Sequence, residues 1–296
     1  MDNYKRIFWI SSYPKSGNTW LRLILCGLFY TNDGIIDDFK ILNNIPKFDL
    51  LNNFKFIKKI SIDDYNLIFK NNYYDEKTLV TYSKYWIEAQ KKIKHNKKFI
   101  FYKTHNARVK LNATQIPYTN EITTLGFIYV SRDPRDIVLS YSKHTNKNID
   151  EVIKLLNEDK IMGKIKSNNR MLEVILSWKD HYCSWKNFTS VPSLFLRYED
   201  LINNFEDEIN KILLFFYNNF NIKIENQNQK IKNIIKSTNF KNLKNIEDKK
   251  GFVEKSEFSN FFRVGKNKQW EKKLNTKQKK LIENYFKDQM NELNYY

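Results

Sequence analysis

Tyr13-Pro14-Lys15-Ser16-Gly17-Asn18-Thr19-Trp20 follows a short apolar run, Arg6 to Ile10. After it, Trp20, Leu21, Leu23, Ile24, Leu25 and Leu28 form a helical pattern to about Tyr30. A strand that feeds a Gly-containing loop and then a helix aims backbone N–H groups and a positive dipole end at one point. Lys15 adds a full charge there, and Ser16 and Thr19 add hydroxyl donors. The stretch reads as a cradle for a phosphate-like anion. It is not a Walker A loop, where Lys directly follows the second Gly, because Lys15 precedes Gly17. The plain alternative is an ordinary βα turn with a solvated lysine.

Three further stretches could do chemistry. Lys103-Thr104-His105 follows a second apolar run, Lys98 to Tyr102. A neutral imidazole can take a proton from an acceptor hydroxyl, and a neighbouring ammonium keeps it neutral and stabilises charge on a transferring group. His95, His144 and His181 lack such company and read as structural. Arg132 ends a third run, Leu125 to Val130, and Ser140 lies in the helix that Pro134 opens. Arg135 stands beside Asp136 and can pair with it instead of a ligand. Phe262-Arg263-Val264-Gly265-Lys266, with Trp270 beyond, can wrap a phosphate, or can be a basic loop of biased composition. Together the four pieces imply a doubly anionic ligand with a general base near the first cradle.

The elements that must position them alternate. Strands are expected over Arg6 to Ile10, Lys98 to Tyr102, Leu125 to Val130 and Ser193 to Leu196. Helices are expected from Trp20 to Tyr30, after Pro134, and over 78–94, 170–188, 199–219, 227–236 and 275–293. Residues 31–77 read as loops and short helices, and the Lys- and Asn-rich 241–268 as a mobile loop. Alternating strands and helices, with polar signatures at the strand C-termini, predict a doubly wound sheet with ligands at its carboxyl edge. The fold class is α/β, a P-loop-like three-layer α/β/α arrangement with a central parallel sheet. Residues 1–296 read as one domain.

Composition excludes other classes. With 41% hydrophobic and 16% aromatic residues the chain is not disordered. Two Cys, Cys26 and Cys183, cannot make a disulfide scaffold. No apolar run is long enough to span a bilayer and no leader is evident, so a cytoplasmic location is expected. The net charge of +18 favours anionic ligands, although Lys, Asn, Ile, Phe and Tyr are all enriched, as AT-rich codons favour. Arg is the informative residue. Only eight of the 51 basic residues are Arg, so each is a candidate for planar, bidentate recognition that Lys cannot copy.

At this point the motifs resemble those of the PAPS-dependent sulfotransferases, whose donor is 3′-phosphoadenosine 5′-phosphosulfate. Tyr13 to Trp20 is similar to the family's 5′-phosphosulfate loop, YPKSGTTW, with Asn18 as the one departure. Tyr129 to Ser140 resembles the 3′-phosphate motif, and Lys103-Thr104-His105 the strand end that carries the catalytic base. Tyr198-Glu199-Asp200, Thr238-Asn239-Phe240 and Phe262-Arg263-Val264-Gly265 resemble the family's YED, TSF and RKG segments, with Val264 in place of Lys.

The resemblance implies in-line transfer of a sulfuryl group to a hydroxyl or amine of a small-molecule or carbohydrate acceptor. His105 would be the base, and Lys15 and Lys103 would stabilise charge. Lys15, Ser16, Gly17, Asn18 and Thr19 would hold the 5′ group. Arg132, Ser140, Arg263 and Gly265 would hold the 3′-phosphate, with Trp20, Tyr198, Thr238 and Phe240 at the adenine. Adenosine 3′,5′-bisphosphate (PAP) would be the product, and no metal is expected. No specific nucleic acid and no membrane span are implied, and the oligomeric state is open, a homodimer included. The rivals are a P-loop nucleotide kinase, against which the position of Lys15 argues, and a basic nucleic-acid-binding protein. A third is a decayed relative that binds nucleotide without turnover.

Overall fold

Ile7 to Ile10 are fully buried, as an apolar run at the centre of a parallel sheet must be, and lie in strand β1, Arg6–Ser11. The computed structural model describes residues 6–70, 75–95, 97–111, 115–158, 161–162 and 170–296. Helix α1 (Asn18–Tyr30) leads through two 3₁₀ turns, Phe39–Asn44 and Leu51–Phe54, to α2 (Ile57–Ile60), α3 (Ile62–Lys70), α4 (Glu76–Ser83) and α5 (Trp86–Lys91). Then come β2 (Phe99–Thr104), β3 (Thr124–Ser131), α6 (Pro134–Thr145), α7 (Ile149–Asn157), β4 (Ile161–Met162) and β5 (Glu173–Val174). The chain ends with α8 (Trp178–Lys186), β6 (Ser193–Arg197), α9 (Tyr198–Asn203), α10 (Phe205–Phe220), α11 (Gln227–Ser237), α12 (Phe240–Lys250), α13 (Trp270–Lys273) and α14 (Thr276–Glu292).

The fold is α/β, as expected, with a central parallel sheet flanked by helices and ordered β2-β1-β3-β6. β1 pairs with β2 from Arg6↔Phe99 to Ser11↔Thr104, so the two strands end together, with Lys103 and Thr104 closing β2 and His105 just past it. Two compact units divide the chain: 1–11, 46–127 and 159–193 form the first, and 12–45, 128–158 and 194–296 the second.

The first unit is built on aromatic packing. Trp9 meets Phe48 edge-on at 5.2 Å, Trp86 meets Tyr118 at 5.5 Å and Phe54 meets Tyr82 at 4.9 Å. The polar ends of Trp9 and Tyr118 find partners inside, as burial demands, whereas Tyr82 OH and Trp86 Nε1 are buried without a hydrogen-bond partner among the described residues. Trp9 Nε1 donates to the Thr124 hydroxyl at 3.1 Å, and Gln90 Oε1 accepts from Thr119 and Thr123.

In the second unit, α6 starts where the sequence says it should. Pro134 takes the first helical position, and the Asp133 side chain accepts the Arg135 N–H at 2.9 Å. Of the two alternatives for Arg135, the pair with Asp136 does not form. Arg135 instead pairs with Asp133 at 2.8 Å and Glu283 at 2.8 Å, and lies over Trp270 at 3.7 Å. Arg135→Ala would strand Asp133, whose carboxyl burial already pushes up. Losing one partner of a buried ion pair costs about 3–5 kcal/mol. Chemical denaturation should show a loss of that size, and a loss near zero would refute the structural role.

Three expectations differ from what is observed. The helix over 170–188 begins only at Trp178, because Ser177 caps it by accepting the Asp180 N–H, and Leu176 turns the chain with φ +62°. The residues before it form β5. The helix over 78–94 is two helices, with Lys84 and Tyr85 between them. The Lys-rich start of 241–268 is helix α12, because Asn239 caps it and its Leu243 and Glu247 are buried. Residues 71–74 of the 31–77 stretch lie outside the described residues.

Candidate active site

The cradle belongs to the second unit. Gly17 caps α1 at φ +100°, and the helix opens with no side-chain cap and no acid in its first turn. No residue of the helix itself therefore neutralises its dipole end. Only Gly fits at 17: a Cβ there would stand 2.6 Å from Cδ2 of Tyr198. Lys15 takes the left-handed conformation too, φ +70°, a strain of the kind that clusters at binding loops. Its ammonium lies 4.5 Å from the centroid of Phe261. Asn18 Nδ2 donates to Ser12 Oγ at 3.2 Å. The Thr19 hydroxyl is engaged, donating to Glu254 Oε2 at 2.9 Å, while Arg22 Nη1 donates to Oε1 of the same carboxylate at 2.7 Å.

Beside the loop, the Arg132 guanidinium lies 4.3 Å over the Tyr198 ring and donates from Nη1 to the carbonyl of Lys15 at 3.1 Å. Arg263 reaches Ser140 through the main-chain carbonyl, 3.1 Å, and the hydroxyl, 3.4 Å. Burial, and then the Arg132 charge, lower the Arg263 pKa. Two guanidiniums thus share one neighbourhood. Ser16 Oγ and Arg132 Nε are buried with no hydrogen-bond partner among the described residues. A multiply charged anion would satisfy both atoms and separate the like charges, so the residues fit a nucleotide with more than one phosphate.

The aromatic residues expected at the base also gather. Trp20 donates from Nε1 to the Thr238 hydroxyl at 3.3 Å and meets Tyr198 edge-on at 5.8 Å. Phe240 packs against Gly265, where a Cβ would stand 2.1 Å from Cδ2 of the ring. The neighbouring Glu199 was not a candidate. Its Oε1 accepts the Asp133 N–H at 3.1 Å, its Oε2 is buried without a partner, and burial pushes the carboxyl up to about 7. Between the ordinary value of 4.5 and about 7 the folded chain holds a proton that the unfolded chain has lost, so stability falls as pH rises through that window. Glu199→Gln should escape that fall and be the more stable protein at pH 8, by about 3 kcal/mol. Thermal melts from acid to alkaline pH check this, and parallel curves for the two proteins would refute it.

His105 belongs to the first unit, just past β2. Residues 46–48 run alongside the end of that strand: Phe48 N–H donates to the Lys103 carbonyl at 3.1 Å, and Lys103 N–H to that of Pro46 at 2.9 Å. This brings Lys47 and Asp49 to the end of β2, just before His105. The Met171 N–H donates to the Asp49 carbonyl at 3.0 Å, which carries the chain on to Glu173 in β5. Glu173 forms a close ion pair with Lys47 through Oε2, and its Oε1 accepts the His105 N–H at 3.3 Å. Burial opposes its ionisation, but Lys47, His105 and Lys103 outweigh that and hold it below the usual carboxylate range. Asp49 moves the other way, raised by burial and by Glu173, while its carboxylate accepts from Thr104 and Tyr118.

Sequence reading found Lys103 and His105 but missed Lys47, Asp49 and Glu173. Reading 170–188 as one helix hid Glu173, and the Ser177–Asp180 cap spacing was the signal that would have exposed it.

A family model, the sulfotransferase domain, matches residues 5–294. The chain belongs to the sulfotransferase family. Solved structures agree on the fold of this sulfotransferase. Retinol dehydratase in complex with androsterone and the inactive cofactor PAP aligns with a TM-score of 0.59 at 17% identity, over 96% of this chain and 80% of that one. Retinol dehydratase in a complex with retinol and PAP gives 0.58 and 20%, over 96% and 81%. A mouse sulfotransferase complexed with PAP gives 0.57 and 20%, over 97% and 84%. No curated protein sequence matches. Among the described residues, no helix is long and apolar enough to cross a membrane.

Proposed function

We propose that this sulfotransferase moves a sulfuryl group from 3′-phosphoadenosine 5′-phosphosulfate to a hydroxyl or amine of a small-molecule or carbohydrate acceptor in the cytoplasm. The observation that carries the donor assignment is Arg132 and Arg263 converging near Ser140, with Arg132 Nε and Ser16 Oγ buried and unsatisfied. PAP in the related structures, and androsterone and retinol in the complexes of retinol dehydratase, support the donor and a small-molecule acceptor.

The donor supplies an activated sulfuryl group. His105 takes the acceptor's proton as the acceptor's oxygen or nitrogen bonds to sulfur, the bond from sulfur to the bridging phosphate oxygen breaks, and adenosine 3′,5′-bisphosphate leaves with that oxygen. Lys15 and Lys103 stabilise the charge that develops on the bridging oxygen and the transferring group, so catalysis rests on positioning and electrostatics. Gly17, Asn18 and Thr19 hold the 5′ group with Ser16, and for Thr19 this means exchanging Glu254 for the ligand. Arg132, Ser140, Arg263 and Gly265 hold the 3′-phosphate. Trp20, Tyr198, Thr238 and Phe240 line the adenine.

A thermal-shift titration with adenosine 3′,5′-bisphosphate, ATP plus magnesium, and 5′-AMP tests the donor assignment. At 100 times its dissociation constant a ligand adds about 2.7 kcal/mol. The bisphosphate alone should raise the melting temperature. A rise confined to ATP and magnesium would replace the reading with a kinase, and no rise at all would mean a decayed site.

A further inference from the structure

The main chain of His105 is held at both ends. Its N–H donates to Glu173 Oε1, and its carbonyl accepts from Nε2 of the fully buried His181 at 3.1 Å. The residues after it are gripped by the same two elements. Asn106 Oδ1 accepts the Val174 N–H at 2.7 Å, and the Ala107 N–H donates to the Val174 carbonyl at 2.7 Å. Trp185 Nε1 donates to the Asn106 carbonyl at 2.9 Å, and the Arg108 N–H donates to Ser184 Oγ at 2.9 Å. β5 and α8 together form a bracket around the loop that carries the base.

Most of that bracket is neutral and would hold any loop. Glu173 differs, because it brings a buried charge to this one residue, and buried charge is costly unless it is used or paired. Lys47 pairs only one of its oxygens; the other is spent on the His105 main chain. We propose that Glu173 is a positioning residue for the base: it fixes the His105 main chain and gives the imidazolium a counter-charge once the ring has taken the acceptor's proton. The proposal rests on the reading of His105 as base. Its logic is that of the carboxylate behind a catalytic histidine, delivered through the main chain and the local field rather than through a bond to the ring. Among the described residues, the other groups facing this site within the unit include Lys47 and Asp49 from 46–49, Lys103 from β2, Tyr82 from α4, Tyr118 and His181. Lys47 and Lys103 oppose a charged ring, and Glu173 is the negative group that offsets them.

With four histidines in the chain, histidine-labelled protein can be titrated by NMR, the His105 signal being identified by its loss in His105→Ala. Glu173→Gln keeps the acceptor oxygen for the His105 N–H and removes the charge. The His105 midpoint should fall by about one pH unit. Lys47→Met removes the opposing ammonium, so the midpoint should rise, and this second variant tests the idea if Glu173→Gln does not fold. An unmoved His105 midpoint in the folded variant would overturn the proposal, since a merely structural carboxylate changes melting temperature but not the ring's titration. Failure of the base reading is separate: it would show as His105→Ala still turning over, while the midpoint shifts of the variants remain.

Discussion

His105→Ala is expected to lower the rate of sulfuryl transfer by about 10²–10⁴-fold, the range that a positioned general base supplies. Donor binding should stay within a few-fold. Contacts of the cradle run among Lys15, Thr19, Trp20, Arg132, Tyr198, Thr238, Glu254 and Arg263, and the role assigned to the imidazole is toward the acceptor rather than the donor. Stability should hold as well, because the grip on the loop is on main-chain atoms of His105 and on Asn106. The check is single-turnover transfer from the donor with any acceptor found active, set beside a bisphosphate titration of the same variant. Turnover within a few-fold of the parent would end the assignment of His105 as base.

Arg132→Ala should produce the converse pattern. The guanidinium offers charge-assisted hydrogen bonds from a partly desolvated position over Tyr198, where such bonds contribute about 1.5–3 kcal/mol. Losing them should weaken adenosine 3′,5′-bisphosphate by roughly 10- to 200-fold. Binding of 5′-AMP, which lacks the 3′-phosphate, should change far less. Calorimetric titration of both ligands against both proteins makes the comparison. Equal losses would mean that Arg132 supports the loop through the Lys15 carbonyl rather than reading the 3′-phosphate.

The parts of this site legible in the sequence were those with local physics. A strand, a Gly loop and an uncapped helix are contiguous, so Lys15 to Trp20 could be read as a cradle without knowing the rest of the chain. Arg132, Pro134 and Ser140 share one helix entry, and their spacing follows from it. Glu173, Lys47 and Asp49 reach His105 only because residues 46–50 lie between the end of β2 and the approach to β5, a register set by long-range pairing. No window of sequence contains that information. Helix α12 was hidden for a related reason: its eleven residues are polar enough to read as loop, and Glu247 accepts the N–H groups of Phe261 and Phe262, more than a dozen residues away. Arg135 shows the reverse error. Its neighbour in sequence, Asp136, was one candidate partner, yet it pairs with Asp133, two residues back, and with the distant Glu283.

The Arg132–Arg263 arrangement has a consequence for ionic strength. The net charge of +18 rests mostly on lysines, and exposed charges are screened within about 10 Å at moderate salt. Polyanions captured by that surface should be released steeply as salt rises, with a slope counting the counterions displaced. A ligand seated between two guanidiniums, one buried and one half-buried, is sheltered from that screening. Its affinity should decline gently over the same range, so a salt series alone divides what this protein attracts from what it recognises.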